Sequence, residues 1–232
     1  HYLGILFTSF ILLSCTSQST STPEVEHGDV PITERNVGGP CQDCEALLDY
    51  ALLGITPQST DTLPGFHTNE PQIKLTGTVF QQDGKTPAEN VLLYVYHVDR
   101  NGLYQPSEEP IGWEGRHGQY RGWLKTGKDG KFSFYTFRPV PYPEVQEPEH
   151  IRIYVKEPNT IPYYIDNYVF ESDPMLTEEK KQSEKKRGGS GIVKLEMKDG
   201  IWTANRDLIL GLNIPDYCLL YTSPSPRDSF RS

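Results

Sequence analysis

The sequence predicts an all-β fold, an antiparallel β-sandwich with short helical and loop extensions, and three observations carry that prediction. Apolar and polar residues alternate along several short runs, as half-buried strands require. The runs are separated by turn pairs such as Asp83-Gly84, Asn101-Gly102, Asp129-Gly130 and Asp199-Gly200. Gly (20), Pro (19) and Tyr (14) are plentiful while apolar residues make up only 36%, which favours short strands and many turns over long helices. A chain of 232 residues then reads most simply as one domain with a leader.

Taken in order, residues 28–70 read as an irregular leader with one helical candidate over 44–53, where Glu45, Ala46, Leu47, Leu48, Ala51 and Leu52 suit a helix ended by Gly54. Strand patterning starts after Pro71. Residues 73–82 and 91–98 are strands, and residues 121–126 and 131–137 are expected to form a hairpin around Lys128-Asp129-Gly130, with Phe132, Phe134 and Thr136 on one face. Further strands are expected over 150–156, 163–170, 191–197 and 202–210. Residues 177–187 carry acid in the first turn behind a Thr177 cap and then bases, which suits a solvated helix or loop. The glycine-rich run 187–191 lacks the strand–loop–helix setting of a phosphate loop and reads as a connector.

The net charge of −9 without a basic stripe argues against nucleic acid as a partner. Residues 1–14 read as the remnant of a signal peptide, too short to span a bilayer, and Leu12-Leu13-Ser14-Cys15 resembles a lipobox in which Cys15 is lipidated. The expected location is therefore outside the cytoplasm, anchored to the bacterial cell envelope by lipid alone, with residues 15–70 as tether and leader. In that oxidising setting Cys41 and Cys44, a CxxC, are disulfide candidates; one CxxC is half a zinc site and has no second half here. Residues 71–217 form the sandwich, and residues 218–232 (CLLYTSPSPRDSFRS) break the strand pattern and read as a non-native tail.

The chemistry rests on four positions. His150 and Arg152 are two apart on an expected strand, so both point to one face. Tyr142 sits between Pro141 and Pro143, whose fixed φ angles restrict the loop, and Tyr104 follows the Asn101-Gly102 turn. Phenol titrates near pH 10, so a tyrosinate ligand at neutral pH calls for a hard, strong Lewis acid such as iron(III) rather than zinc, calcium or magnesium. Singly, each of these residues has an ordinary structural explanation; among 14 tyrosines most are core or strand residues.

Together, the segments GTVFQQDGKTP, VYHVDRNGLY, YRGWLKTGKDGKFSFYTFRPVPYP and PEHIRIYV, in order, make residues 73–170 resemble the intradiol ring-cleavage dioxygenases, the family of catechol and protocatechuate dioxygenases. The resemblance implies a prealbumin-like sandwich, a non-haem Fe(III) cofactor, and a catecholic substrate opened with dioxygen to a muconate-type diacid. It makes Tyr104 and Tyr142 metal ligands, Tyr142 also the catalytic ligand that substrate displaces, and His150 the axial histidine. Arg152 stands where the fourth ligand, a second histidine, is expected, and a guanidinium cannot ligate. Glu147 stands where well-studied members carry an arginine. Three explanations of Arg152 are open on sequence alone: a degenerate site, completion by His117 or His97, or a misread codon. The same glycine-rich strand segments also resemble non-catalytic prealbumin-like modules of exported proteins, the alternative function.

Overall fold

The computed structural model describes residues 34–217. The expectations for residues 1–14, for Cys15 and for the tail 218–232 lie outside the described residues. In chain order the elements are a 3-10 turn (Cys44–Leu48), α1 (Asp49–Leu52), β1 (Thr60–Thr62), β2 (Gln72–Phe80), β3 (Leu92–Tyr96), α2 (Glu114–His117), β4 (Arg121–Lys125), β5 (Lys131–Phe137), β6 (His150–Lys156), β7 (Tyr163–Tyr164), β8 (Tyr168–Phe170), α3 (Glu178–Gln182), β9 (Ile192–Val193), β10 (Glu196–Lys198), β11 (Ile201–Asn205) and β12 (Leu208–Ile209). No described helix is long and apolar enough to cross a membrane.

Among the described residues the strands form two six-stranded sheets. One runs β1-β5-β2-β11-β10 with β12 also on β2; the other runs β4-β3-β6-β8-β9 with β7 also on β6. The fold is all-β, and the central pairs β2–β5, β3–β4 and β3–β6 are antiparallel. Four other pairs, β1–β5, β11–β2, β12–β2 and β8–β9, are parallel. Alternation buries Ile73, Leu75 and Val79 of β2, Phe132 and Phe134 of β5, Leu93 and Val95 of β3, and Ile151, Ile153 and Val155 of β6 in one core between the sheets. Fully burying each such side chain contributes about 1.5–3 kcal/mol.

The expected hairpin between β4 and β5 does not form. β4 pairs with β3 and β5 with β2, so the segment between them crosses from one sheet to the other. Thr126 anchors the crossing: its hydroxyl donates to the Ala88 carbonyl at 2.7 Å and accepts from the Val91 amide at 3.0 Å. Gly130, at φ 67, brings its own carbonyl to the Val79 amide at 2.8 Å. The Asp199-Gly200 turn does join a hairpin, β10–β11, with φ of 51 and 83. Thr177 caps α3 by accepting from the Lys180 amide.

The leader segment is structured where it is described. β1 adds an edge strand to β5, and Val37 and Leu63 enter the core. The helical candidate resolves into the 3-10 turn and α1, with the Gly54 amide bonded to the Ala51 carbonyl and φ 65 at Gly54. Ala46 and Leu47 are fully buried against Tyr94, Tyr96, Trp123 and Tyr154. This second cluster lies on the outer face of the β3–β6 sheet, so that face is roofed rather than solvated. Cys41 and Cys44 are joined in a disulfide at the edge of the roof, with Cα atoms 5.6 Å apart.

Candidate functional site

The predicted ligand positions meet on that roofed face. His150 opens β6 and Arg152 follows two residues on, both turned away from Ile151 and Ile153 in the core. Tyr96 lies opposite Arg152 in the β3–β6 register, and Tyr94 opposite Tyr154. Two loops add the tyrosines. Asp99 closes the turn before Tyr104 by accepting from the amides of Asn101 at 2.8 Å and Leu103 at 2.9 Å. Gly102, at φ 76, packs so closely on the second loop that a Cβ there would lie 2.5 Å from the Pro141 carbonyl oxygen. A glycine is needed for both reasons, and the contact sets the Tyr104 turn against Tyr142.

The four side chains form one hydrogen-bonded cluster. The Tyr104 and Tyr142 hydroxyl oxygens are 2.6 Å apart, and Tyr142 Oη is 3.2 Å from His150 Nε2. His150 Nδ1 is 2.9 Å from the Pro148 carbonyl, which can only accept, so Nδ1 carries the proton and Nε2 offers its lone pair to the cluster. Arg152 donates from Nε to Tyr104 Oη at 3.2 Å and from Nη2 to Tyr142 Oη at 3.4 Å.

Burial dominates the electrostatics. It raises the Tyr104 pKa despite the opposing pull of Arg152, and it lowers that of His150 despite the Pro148 hydrogen bond. Burial works against the Arg152 charge; its pKa still moves up because Tyr104, Tyr96 and Tyr142 attract it once they ionise, a pull that is absent while the phenols are neutral. At neutral pH the cluster therefore holds a neutral imidazole, a neutral Tyr104 phenol and a fixed cation.

Those facts decide whether the residues fit an iron(III) centre. Tyr104, Tyr142 and His150 lie within reach of one ion and His150 has the right tautomer. The Arg152 guanidinium, however, lies against both phenol oxygens, lacks a lone pair, and repels a cation by roughly 4 kcal/mol per unit charge at about 4 Å and an effective dielectric near 20. With Arg152 in that place, the residues present do not fit iron(III). Neither histidine candidate hydrogen-bonds to Tyr104, Tyr142, His150 or Arg152. His97 has Nδ1 on the Val98 carbonyl at 2.7 Å and Nε2 on Thr136 Oγ1 at 2.6 Å. His117 has Nδ1 3.0 Å from Tyr94 Oη, stacks on Tyr96, and directs Nε2 towards Asp43 at 3.7 Å. Among the described residues no group of three or more His, Cys, Asp or Glu is placed to hold a metal.

Several neighbours were not singled out from sequence. Tyr96 and Tyr154 bond to one another at 2.9 Å, and Tyr154 donates to the Gln42 carbonyl at 3.1 Å, inside the disulfide loop. Period-two spacing from Tyr94 and Arg152 was the available signal for both; nothing local ties residues 42–43 to the site. Glu147 is exposed at the rim of an outer cavity of about 690 Å³ that Arg152 also borders, while Glu149 pairs with Arg138 and turns away.

No protein-family model matches the sequence, and comparison with curated proteins gives no match. Solved structures do match. The dioxygenase domain of a dioxygenase carbohydrate-binding protein fusion from Streptomyces sp. SirexAA-E superposes with a TM-score of 0.51 at 22% identity, over 67% of this chain and 91% of that one. Wild-type catechol 1,2-dioxygenase from Acinetobacter radioresistens gives 0.50 at 16% identity, over 66% of this chain and 57% of that enzyme. The chain thus has the fold of the intradiol ring-cleavage dioxygenases, and it spans little more than half the length of the second of these proteins.

Proposed function

We propose that this chain is an intradiol-dioxygenase-type protein, exported and lipid-anchored through Cys15, that takes small catecholic aromatics at the Tyr104/Tyr142/His150/Arg152 cluster and, with Arg152 present, does not open their rings. The observation that carries the reading is the convergence of those four side chains, from two loops and one strand, joined by four contacts of 2.6–3.4 Å. The dioxygenase fold supports the ligand class, and the Cys41–Cys44 disulfide suits an oxidising compartment. In this reading Arg152 supplies by hydrogen bonding the positive charge that a metal supplies in a ring-cleaving site, and orients a phenolic ligand without activating dioxygen.

A second reading, ring cleavage at an iron(III) held by three protein ligands, is favoured by one observation: His150 presents Nε2 to the two phenols in ligand-like geometry. Iron titration with visible spectroscopy separates the two. The protein is expected to stay colourless when offered iron(III), and Arg152→His to turn red-brown from tyrosinate-to-iron charge transfer. A coloured wild type supports the second reading, and a colourless Arg152→His variant removes the metal-site ancestry from the account.

A further inference from the structure

Arg152 is half-buried and forms no ion pair with a described Asp or Glu. A buried cation without an anion is costly, so its partner is sought in the space it faces. Besides the outer cavity, Arg152 borders a smaller one of about 250 Å³, inner only in that it reaches the buried His117, and open to the surface at Gln42 and Arg116. Tyr96, Tyr104 and Tyr154 give this inner space aromatic walls. Its other charges cancel, because Arg116 Nε and Asp43 Oδ2 pair at 2.7 Å. The outer cavity, by contrast, carries Glu147, Asp166 and Glu184 against Lys185 and Arg152, a poorer setting for an anion.

A second polar group is waiting in the inner cavity. His117 lines it and is 2% exposed, and its Nε2 is buried with no hydrogen-bond partner. Asp43, the nearest carboxylate at 3.7 Å, is too far for a hydrogen bond and already holds Arg116. Buried polar atoms in native proteins are nearly always satisfied, so an orphan beside an unpaired cation marks the place of a ligand. The Tyr96 and Tyr154 hydroxyls are satisfied by one another and by Gln42, so these two residues present ring surface rather than spare donors.

We propose that the inner cavity binds a small aromatic carboxylate of the benzoate class, with the carboxylate on the guanidinium N–H groups that Tyr104 and Tyr142 leave unused, the ring among Tyr96, Tyr104 and Tyr154, and His117 Nε2 as the second polar contact. The planar guanidinium fork suits a carboxylate, and a volume just below the about 300–1,000 Å³ of drug-sized sites suits one substituted ring. The inference rests on the metal-free reading of Arg152 and adds the ligand's charge and the place of that charge.

Calorimetric titration of the full chain with benzoate and with the neutral, equally shaped benzamide tests it. Benzoate is expected to bind at least about tenfold more tightly, with the margin shrinking as salt is added, because a charge-assisted contact is lost in the amide. Arg152→Gln is expected to erase the preference, bringing benzoate to the affinity that the same variant shows for benzamide, because the charge-assisted contact is gone. Equal binding by the wild type, or a preference that survives in Arg152→Gln, overturns the inference. Iron analysis of the same preparation tells the two levels apart: stoichiometric iron in the wild type removes both the metal-free reading and this inference, whereas iron-free protein without a preference removes the inference alone.

Discussion

Replacing Arg152 by Met is expected to leave the protein as stable or more stable. The variant keeps an unbranched apolar stem of similar reach and removes a charge that no described carboxylate compensates. It also removes two long hydrogen bonds, at 3.2 and 3.4 Å, but their acceptors are not orphaned: Tyr104 and Tyr142 remain bonded to each other, and Tyr142 to His150. Exchanges of buried ionic groups for apolar ones are neutral or stabilising by about 1–4 kcal/mol, and a half-buried group belongs at the low end, so a gain of about 1 kcal/mol is expected. In a domain of this size that is about 2–4 °C in Tm. Urea unfolding followed by tryptophan fluorescence reads the difference, with Trp123 buried beside the site. A loss beyond about 2 kcal/mol refutes the reasoning, because it is the cost of breaking a compensated buried network.

Two further outcomes follow from groups away from the cluster. Burial holds the His97 pKa down at about 4, so on acidification the unfolded chain takes up a proton near pH 6.5 while the folded chain resists; stability present at pH 7 falls between those values, by roughly 3 kcal/mol for this residue, and the loss levels off below pH 4. His117, also pulled down to about 4, acts in the same window, so His97→Gln should flatten the urea-midpoint profile between pH 6.5 and 4 only in part, and an unchanged profile contradicts the assignment. Reducing the Cys41–Cys44 disulfide, or replacing both residues by Ser, is expected to cost about 2 kcal/mol for so short a loop, read as a lower denaturation midpoint with an unchanged m-value; no change would show that the roof is held by Leu47 and its contacts alone.

How far the sequence revealed these features depended on whether the determining contact was local. β6 occupies the residues expected of it because its alternation is complete, with Ile151, Ile153 and Val155 inward. The same alternation placed His150 and Arg152 on one face, whereas Tyr104 and Tyr142 stood out from the other tyrosines only through the resemblance of the surrounding segments to a known family. The β4–β5 hairpin was misread because Arg121, Gly122, Trp123 and Leu124 are all buried, one face in the core and the other under the roof, and nothing in such a run distinguishes a hairpin from a crossing. The pairings of β1 with β5 and of β11 with β2 join distant segments in parallel, and no turn signal encodes them. The roof was missed for a related reason: Leu47 shows its buried face only once Tyr94, Tyr96, Trp123 and Tyr154 are seen to lie beneath it.

Arg152, held against both phenols, is proposed to keep a dioxygenase-type site from ring cleavage. Oxygen uptake by the wild-type chain, supplied with iron(III) and catechol and followed alongside the ultraviolet absorbance of the diacid product, tests it most directly. Neither oxygen consumption above the protein-free control nor a muconate-type product is expected. Stoichiometric oxygen consumption with appearance of the diacid, from protein whose residue 152 is verified as arginine, would contradict it.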